Sequence, residues 1–113
     1  PIAGSVAYNA AKAGLNHMSA TIATELAQHQ INVNVIEPGW IDTPGERLTY
    51  DDETLAAEAK KLPLQRMGTI YDIGKAATFL SSSDADYITG VILPVDGGYK
   101  LKHCRNIPEE KAS

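Results

Sequence analysis

The strongest constraint on the fold of this chain is the alternation of two short apolar runs with helix-forming segments. Residues 31–36 end at the turn signal Pro38-Gly39, and residues 91–95 end before a second turn signal. Taken as runs without polar–apolar alternation, both segments are predicted to be strands buried on both faces. Because helices separate them, the pattern predicts an α/β fold with parallel strands and right-handed crossovers.

Segments before and between the two predicted strands carry the sequence signals of helices. The longest helix begins with Ser5 as its N-cap and contains mostly good helix formers. A later helix follows Thr69, because Asp72 three residues on approximates a capping box. The predicted order is a helix over residues 5–29, a strand over 31–36, a loop over 40–50, helices over 52–62 and after Thr69, and a strand over 91–95.

The sheet that these elements predict is incomplete. Two parallel strands do not form a stable sheet alone, and no strand precedes the first helix. The chain contains no repeat and no signal of an internal domain boundary. We therefore expect residues 1–113 to form part of a single domain, with core elements over residues 1–99 and a surface tail over residues 100–113.

Composition excludes several classes of function. Of 113 residues, 43% are hydrophobic and 21% are charged, which disfavours a disordered or fibrous protein. Lys and Arg number 10 against 14 Asp and Glu, and the resulting charge of −4 argues against a nucleic-acid or membrane-surface partner. No apolar run is long enough to span a bilayer, and His17, His29 and His103 lack the spacing of metal ligands. The single Cys104 fits a reducing compartment, so we expect a soluble cytoplasmic protein.

One residue pair near the start of the first predicted helix has the chemistry of an acid–base site. Tyr8 and Lys12 are four residues apart, which places their side chains on the same helix face. A phenol normally loses its proton near pH ~10, and a nearby cation favours the phenolate. The pair could therefore exchange a proton with an alcohol or carbonyl oxygen, although the same spacing is also common on ordinary helix surfaces.

A second candidate segment follows the first predicted strand. In open α/β sheets, alternating elements return the carboxyl end of a strand to the edge at which the preceding helix begins, and ligands bind there. We therefore expect the segment from Pro38 to Thr43 to lie beside Tyr8 and Lys12. Gly39 permits a close approach of the backbone, and the Thr43 hydroxyl can both donate and accept hydrogen bonds.

In this order and at these spacings, the motifs of the chain resemble those of the short-chain dehydrogenase/reductase family. The resemblance covers nearly the whole chain. Its motifs are Tyr8-x-x-x-Lys12 followed by Ala13-Gly14, the run 31–34 leading into Pro38-Gly39-x-x-x-Thr43, Leu64-Gln65-Arg66-Met67-Gly68, Ile88-Thr89-Gly90 and Val95-Asp96-Gly97-Gly98. The loop around Thr43 and the tail beyond Gly98 most resemble the glucose 1-dehydrogenase branch.

The resemblance implies an NAD- or NADP-dependent oxidoreductase that interconverts a small-molecule alcohol, such as a sugar, and a carbonyl. Tyr8 would be the general acid/base of this reaction. Lys12 would favour the phenolate form of Tyr8 and hydrogen-bond the nicotinamide ribose, so both residues would contact the cofactor. The implied fold is the C-terminal portion of a doubly wound parallel sheet of the Rossmann type. The implied assembly is a homo-oligomer, a tetramer in the full-length protein.

The resemblance also implies that the loop after the first strand binds the cofactor. Pro38 and Gly39 would shape the loop beneath the nicotinamide. The Ile41 backbone would meet the carboxamide, and the Thr43 hydroxyl would contact the carboxamide or a phosphate. Residues 40–62 would form a mobile lid over the substrate.

Several parts of the family pattern have no counterpart in this chain. The glycine-rich phosphate loop, the catalytic serine and a relay asparagine precede the catalytic tyrosine in the family, and Ser5 is too close to Tyr8 to be that serine. We therefore expect the C-terminal part of such an enzyme. The alternative is a truncated, non-catalytic fragment that mainly self-associates. NAD versus NADP and the substrate stay open, because the discriminating residues would lie in the missing half.

Overall fold

The structure is a computed structural model that describes residues 3–104, and it confirms an α/β fold with a parallel sheet. Its helices are α1 (Val6–Leu26), α2 (Pro44–Thr49), α3 (Asp52–Ala59) and α4 (Ile70–Leu80), and its strands are β1 (Val35–Pro38) and β2 (Ile92–Val95). Short 3₁₀ helices cover Ala27–His29, Ser83–Ala85 and Tyr99–Cys104. The predicted order of helices and strands is correct apart from one additional helix, α2. Residues 105–113 of the predicted tail lie outside the described residues.

Helix α1 forms over most of its predicted range because its sequence is rich in alanine and other good helix formers. Ser5 occupies the N-cap position, but its side chain does not cap the helix, and its hydroxyl accepts a hydrogen bond from the Asn9 side chain at 3.3 Å. The chain then tightens into the 3₁₀ turn Ala27–His29, which Gln30 ends in a left-handed conformation with φ of 59°. The predicted helix over residues 5–29 is thus an α-helix followed by a 3₁₀ turn.

The two strands pair with each other, but the first begins later than predicted. β1 begins at Val35 rather than at residue 31. The late start of β1 is caused by two asparagines just before it, Asn32 and Asn34. The Asn34 side chain accepts a hydrogen bond from the Val91 N–H at 3.1 Å and donates one to the Ile88 carbonyl at 3.0 Å. The Asn32 side chain donates to the Ala85 carbonyl at 3.3 Å. The Asn34 side chain therefore takes the Val91 N–H that a regular ladder would pair with a backbone carbonyl, and the Val33 carbonyl accepts the Gly90 N–H at 2.8 Å.

The prediction that both strands are buried on both faces is wrong for this chain. The first three residues of β1 are half-buried, and β2 alternates between exposed and half-buried residues, with Ile92 40% exposed. Within the described residues the sheet consists of these two strands alone. Each strand therefore has one neighbour, and part of its apolar surface stays uncovered.

Helix α2 lies where the sequence analysis places a loop. Thr43 is the N-cap of α2, and its hydroxyl accepts a hydrogen bond from the Glu46 N–H at 3.4 Å. Pro44 occupies the first turn, where its fixed φ suits a helix. A threonine followed three residues later by a glutamate is itself a helix-start signal. The loop prediction over residues 40–50 is therefore wrong for Pro44–Thr49, which form a helix begun by this cap.

Helices α3 and α4 begin with side-chain caps, as the sequence indicates. The Asp51 carboxylate accepts the Thr54 N–H at 2.7 Å, and α3 ends at Ala59, earlier than predicted. At the start of α4, the Thr69 hydroxyl accepts the Asp72 N–H at 3.2 Å, while the Asp72 carboxylate accepts the Thr69 N–H at 2.8 Å. The predicted capping box is confirmed by this reciprocal pair.

The described residues form two compact units that alternate along the chain. The first unit contains the residues up to Glu37 and Gly74–Pro94, and the second contains Pro38–Ile73 and the residues from Val95 onward. The buried apolar residues are Ala23 and Ala85 in the first unit and Leu55 and Leu62 in the second.

Most large apolar side chains of the described residues are not enclosed by this chain. The exposed ones include Val6, Leu15, Met18, Leu48, Leu64, Ile70, Phe79 and Ile92. Of the helices between residues 3 and 104, none has both the length and the apolar character needed to cross a membrane.

The Asn34 side chain should contribute measurably to stability. In Asn34→Ala, the Val91 N–H and the Ile88 carbonyl lose their partners, and an unsatisfied, partly buried polar group costs about 1–3 kcal/mol. Urea denaturation of the complete protein that carries this chain measures the change in unfolding free energy. Gln28→Ala is the control, because that exposed side chain makes one long bond of 3.5 Å. Equal midpoints for the two variants would contradict the role of Asn34.

Candidate functional site

Tyr8 and Lys12 lie together on the first turns of α1. The Lys12 Nζ atom is 5.4 Å from the centroid of the Tyr8 ring, and Tyr8 is 63% exposed. A cation at this distance interacts with the face of the ring. The helix therefore brings the two groups together, as their spacing predicts, and leaves the phenol accessible to a ligand.

One turn beyond Lys12, helix α1 is bonded to β1. The Asn16 side chain donates a hydrogen bond to the Glu37 carboxylate at 2.8 Å, and the bond is partly buried. Glu37 is the third residue of β1, so this bond fixes the helix that carries Tyr8 against the carboxyl end of the strand. Sequence patterns give no signal for this contact, because its partners are 21 positions apart.

The segment over residues 38–43, which we term the strand-end loop, begins with a close backbone approach. The Gly39 N–H donates to the Val95 carbonyl at 3.0 Å. A Cβ atom on Gly39 would lie 2.6 Å from both Cα and Cβ of Asp96, so only glycine fits this position without a shift of the backbone. The Asp96 carboxylate in turn accepts the Gly98 N–H at 3.0 Å and orders the following turn. The close approach expected of Gly39 is thus made to the end of β2.

Ile41 lies at the centre of a parallel β-bridge to Gly68. The Gly68 carbonyl accepts the Asp42 N–H at 2.8 Å, and the Gly68 N–H donates to the Trp40 carbonyl at 2.9 Å. Backbone groups of successive residues in extended chains point to opposite sides. The N–H and C=O of Ile41 itself therefore point away from Gly68.

A capping box and an ion pair hold the segment that supplies Gly68. The Arg66 guanidinium donates to the Asp72 carboxylate at 2.8 Å. This bond, together with the Thr69 N–H, holds the pKa of Asp72 well below its usual range. These bonds fix the turn between Arg66 and Asp72 at the start of α4. Gly68, which pairs with Ile41 of the strand-end loop, lies in this turn.

Thr43 and Trp40 connect the strand-end loop to α2. The Thr43 hydroxyl oxygen accepts from Glu46, and the hydroxyl proton remains a donor. The Trp40 indole N–H donates to the Glu46 carboxylate at 2.9 Å. Its ring meets Tyr50 edge-on, with centroids 6.5 Å apart and planes at 89°. The loop and the first turn of the helix therefore form one hydrogen-bonded structure.

Arg47 on α2 is a functional candidate that the sequence analysis did not identify. Its Nε and Nη2 atoms donate to the two carboxylate oxygens of Asp42 at 2.8 and 2.7 Å. The hydrogen bonds and charge of Arg47 lower the pKa of the Asp42 carboxyl, and those of Asp42 raise the pKa of Arg47. Asp42 lies between Ile41 and Thr43, which the family resemblance predicts to bind the cofactor.

The predicted site residues are divided between the two units. Tyr8 and Lys12 belong to the first unit, and the strand-end loop belongs to the second. Part of the predicted lid over residues 40–62 is anchored, since Leu55 on α3 and Leu62 are buried, whereas no residue of α2 is buried. Across the side chains described between residues 3 and 101, no group of three or more His, Cys, Asp or Glu is placed to hold a metal ion.

The described residues form an α/β fold in which a helix carries an exposed Tyr–Lys pair and a glycine follows a parallel strand. A family model described as enoyl-(acyl carrier protein) reductase matches residues 1–100. The chain belongs to the short-chain dehydrogenase/reductase family.

Known relatives agree with this assignment. The chain is 42% identical over 96 residues to 3-oxoacyl-(acyl-carrier-protein) reductase MabA of Mycobacterium avium, a match that covers 85% of the chain and 37% of the relative. A short chain dehydrogenase family protein of Francisella tularensis has a TM-score of 0.78 at 31% identity, covering 89% of this chain and 46% of that protein. A structure from Agrobacterium tumefaciens with bound NADP has a TM-score of 0.73 at 44% identity, covering 83% and 39%.

The chain thus spans less than half the length of the relatives that it matches. The coverage includes the Tyr8–Lys12 helix and the strand-end loop, since the family model extends over residues 1–100.

Gly39 should not tolerate a methyl group. In Gly39→Ala, the new Cβ would overlap backbone and Cβ atoms of Asp96, and such overpacking costs about 1–3 kcal/mol. Gly45→Ala is the control: in α2 its Cβ would meet only the Thr43 hydroxyl at 3.8 Å, and a helical alanine stabilises by about 0.5–1 kcal/mol. Thermal melting of the complete protein should therefore give shifts of opposite sign. A Gly39→Ala melting temperature at or above that of the unmodified protein would refute the close approach.

Proposed function

We propose that the complete protein carrying this chain is an NAD- or NADP-dependent oxidoreductase that interconverts an alcohol and a carbonyl. The observation that carries this proposal is the exposed Tyr8 phenol with the Lys12 ammonium 5.4 Å from its ring centroid. Membership of the short-chain dehydrogenase/reductase family supports it. Residues 1–99 would then be core elements of a single dehydrogenase domain, followed by a surface tail.

The strand-end loop has donors and acceptors that suit a nicotinamide carboxamide. The Ile41 N–H and C=O point away from Gly68, and none of the hydrogen bonds among the described residues uses them. A carboxamide offers one acceptor and two donors, which such a backbone pair can match. The Thr43 hydroxyl can donate to the same carboxamide or to a phosphate. Pro38 and Gly39 would set the path of the loop beneath the ring.

Tyr8 is the proton donor and acceptor of the proposed reaction. In the reductive direction its hydroxyl gives a proton to the carbonyl oxygen of the substrate, and in the oxidative direction the phenolate takes the proton of the alcohol. Lys12 stabilises the phenolate and donates to the ribose of the cofactor. The nicotinamide, when bound, supplies the hydride chemistry.

Other features of the proposed enzyme follow from the family and not from residues of this chain. The Agrobacterium tumefaciens structure holds NADP, which supports a nicotinamide dinucleotide as the cofactor. A sugar as the alcohol substrate, the glucose 1-dehydrogenase branch, a homotetramer and a cytoplasmic location stay predictions.

Removal of the Tyr8 hydroxyl should abolish most turnover. Tyr8→Phe keeps the ring and its contact with Lys12 but cannot exchange a proton, and general acid–base groups contribute about 10²–10⁴-fold to rate. Tyr87→Phe is the control, since Tyr87 is fully exposed in the same unit. Steady-state kcat in the complete protein, with a substrate found by screening alcohols and carbonyls, is the measurement. An unchanged kcat for Tyr8→Phe would exclude Tyr8 as the acid/base.

A second candidate function is self-association of the chain as a non-catalytic fragment. The observation that favours it is the exposed apolar surface of α1, where Val6, Leu15 and Met18 are all exposed and only Ala23 is buried. Exposed apolar area is worth about 25 cal/mol per Å² when it is buried. Association through α1 and β2 would remove part of this area from water.

The 113-residue chain alone should therefore not be a stable monomer. We expect sedimentation to show oligomers or a broad distribution, and thermal melting to lack a sharp transition, because net stabilities of about 5–15 kcal/mol leave little margin for uncovered apolar surface. Met18→Glu should weaken the association, whereas Leu48→Glu, on α2, should not. A monodisperse monomer with a cooperative melt would contradict self-association, and micromolar binding of NAD or NADP by this monomer would contradict a non-catalytic fragment.

A further inference from the structure

One guanidinium joins three segments of the second unit. Arg47 lies on α2, and it holds both carboxylate oxygens of Asp42 through Nε and Nη2 at 2.8 and 2.7 Å. Its Nη1 atom donates to Asp52 in the first turn of α3 at 2.7 Å. The strand-end loop, α2 and α3 are therefore connected at a single side chain.

The geometry of this cluster distinguishes it from an ordinary surface ion pair. Exposed pairs usually contribute little to stability, because solvent screens them and their side chains lose entropy. The fork of Arg47 instead matches the Asp42 carboxylate with two parallel bonds, and Asp52 uses the remaining edge. A lysine at position 47 could keep the charge but could not form the fork.

Helix α2 depends on such polar contacts because it has no buried face. None of its six residues is buried, and Leu48 is 89% exposed. Besides Arg47, the side-chain bonds between α2 and the strand-end loop are those of Glu46 with Thr43 and Trp40. α3 is different, because Leu55 anchors it. Of these two helices, only α3 has a buried side chain, so the position of α2 depends more on its polar contacts.

Asp42 links helix α2 to the candidate site. Its N–H is bonded to Gly68, and its side chain is bonded to Arg47, so both groups of this residue are held. It lies between Ile41 and Thr43 in the chain, and rotation of either adjoining peptide would turn the Ile41 carbonyl or move the Thr43 hydroxyl. A fixed Asp42 therefore fixes both neighbours.

We propose that Arg47 is a positioning residue that clamps Asp42 from α2, holds Ile41 and Thr43 in the geometry that receives the nicotinamide cofactor, and couples docking of α2 to cofactor binding. The inference rests on the proposed function, since it assigns the two neighbours of Asp42 to the cofactor. Because coupling between two events is reciprocal, the bound cofactor should also hold α2 in place.

The test compares Arg47→Ala and Arg47→Lys with the unmodified complete protein. We expect Arg47→Ala to raise the Kd for NAD or NADP about 5–100-fold, the usual range of coupling between sites. The Michaelis constant for the cofactor should rise with it, while kcat at saturating cofactor changes less than about threefold, because Tyr8 is untouched. Arg47→Lys should restore only part of the affinity, as it lacks the fork. Lys75→Ala removes an exposed positive charge on α4, outside residues 40–62, and should change neither constant.

A ligand-free measurement tests the clamp separately. Hydrogen exchange of the cofactor-free protein should be at least about tenfold faster over α2 and at Asp42 in Arg47→Ala, and unchanged in Lys75→Ala. Added cofactor should slow exchange over α2 in the unmodified protein. If the unmodified protein bound neither nucleotide, the proposed function would fail together with the coupling. If it bound one of them, but Arg47→Ala bound it as tightly or exchanged no faster, the positioning role would be overturned and the proposed function would stand.

Discussion

The contact between Gly39 and Asp96 is the constraint on which the candidate site depends. It brings the chain leaving β1 against the chain leaving β2 at a distance that no side chain at position 39 would allow. The hydrogen bond from Gly39 to the Val95 carbonyl continues the pairing of the strands to their last residues. The strand-end loop therefore departs from a fixed point, and its later residues can be aligned with a partner.

Beyond Gly39, both backbone hydrogen bonds and ion pairs hold the strand-end loop in place. The bridge between Ile41 and Gly68 aligns its middle, and an arginine–aspartate pair lies on each side of the bridge: Arg47 holds the loop residue Asp42, and Arg66 holds Asp72 after the turn that carries Gly68. Both aspartates are kept ionised by these arginines, with lowered pKa values. Their contribution is present above the ordinary pKa of a carboxyl and is lost only as the pH falls through the lowered value. At neutral pH both arginine–aspartate ion pairs are therefore present.

Features set by neighbouring residues could be predicted from the sequence, and features set by distant ones could not. The long helix α1, the contact between Tyr8 and Lys12 and the capping box of Thr69 all depend on spacings of three or four residues. The start of α2 is equally local, since Thr43 caps it through Glu46 three residues on, but the sequence analysis predicted a loop there. The late start of β1 has another cause, since Asn34 bonds to groups more than 50 positions away.

The sequence by itself determined the α/β order, the Tyr–Lys pair and the family, because helix periodicity, caps and motif spacing are properties of short segments. Only the tertiary structure decided that Gly39 serves the approach of Asp96, that Ile41 turns its backbone groups away from Gly68, and that Arg47 grips Asp42. The physical reason is that these depend on which backbone and charged groups the folded chain brings within hydrogen-bond distance. A given residue type could form such contacts with many partners, and the tertiary packing of the chain determines which partner it meets.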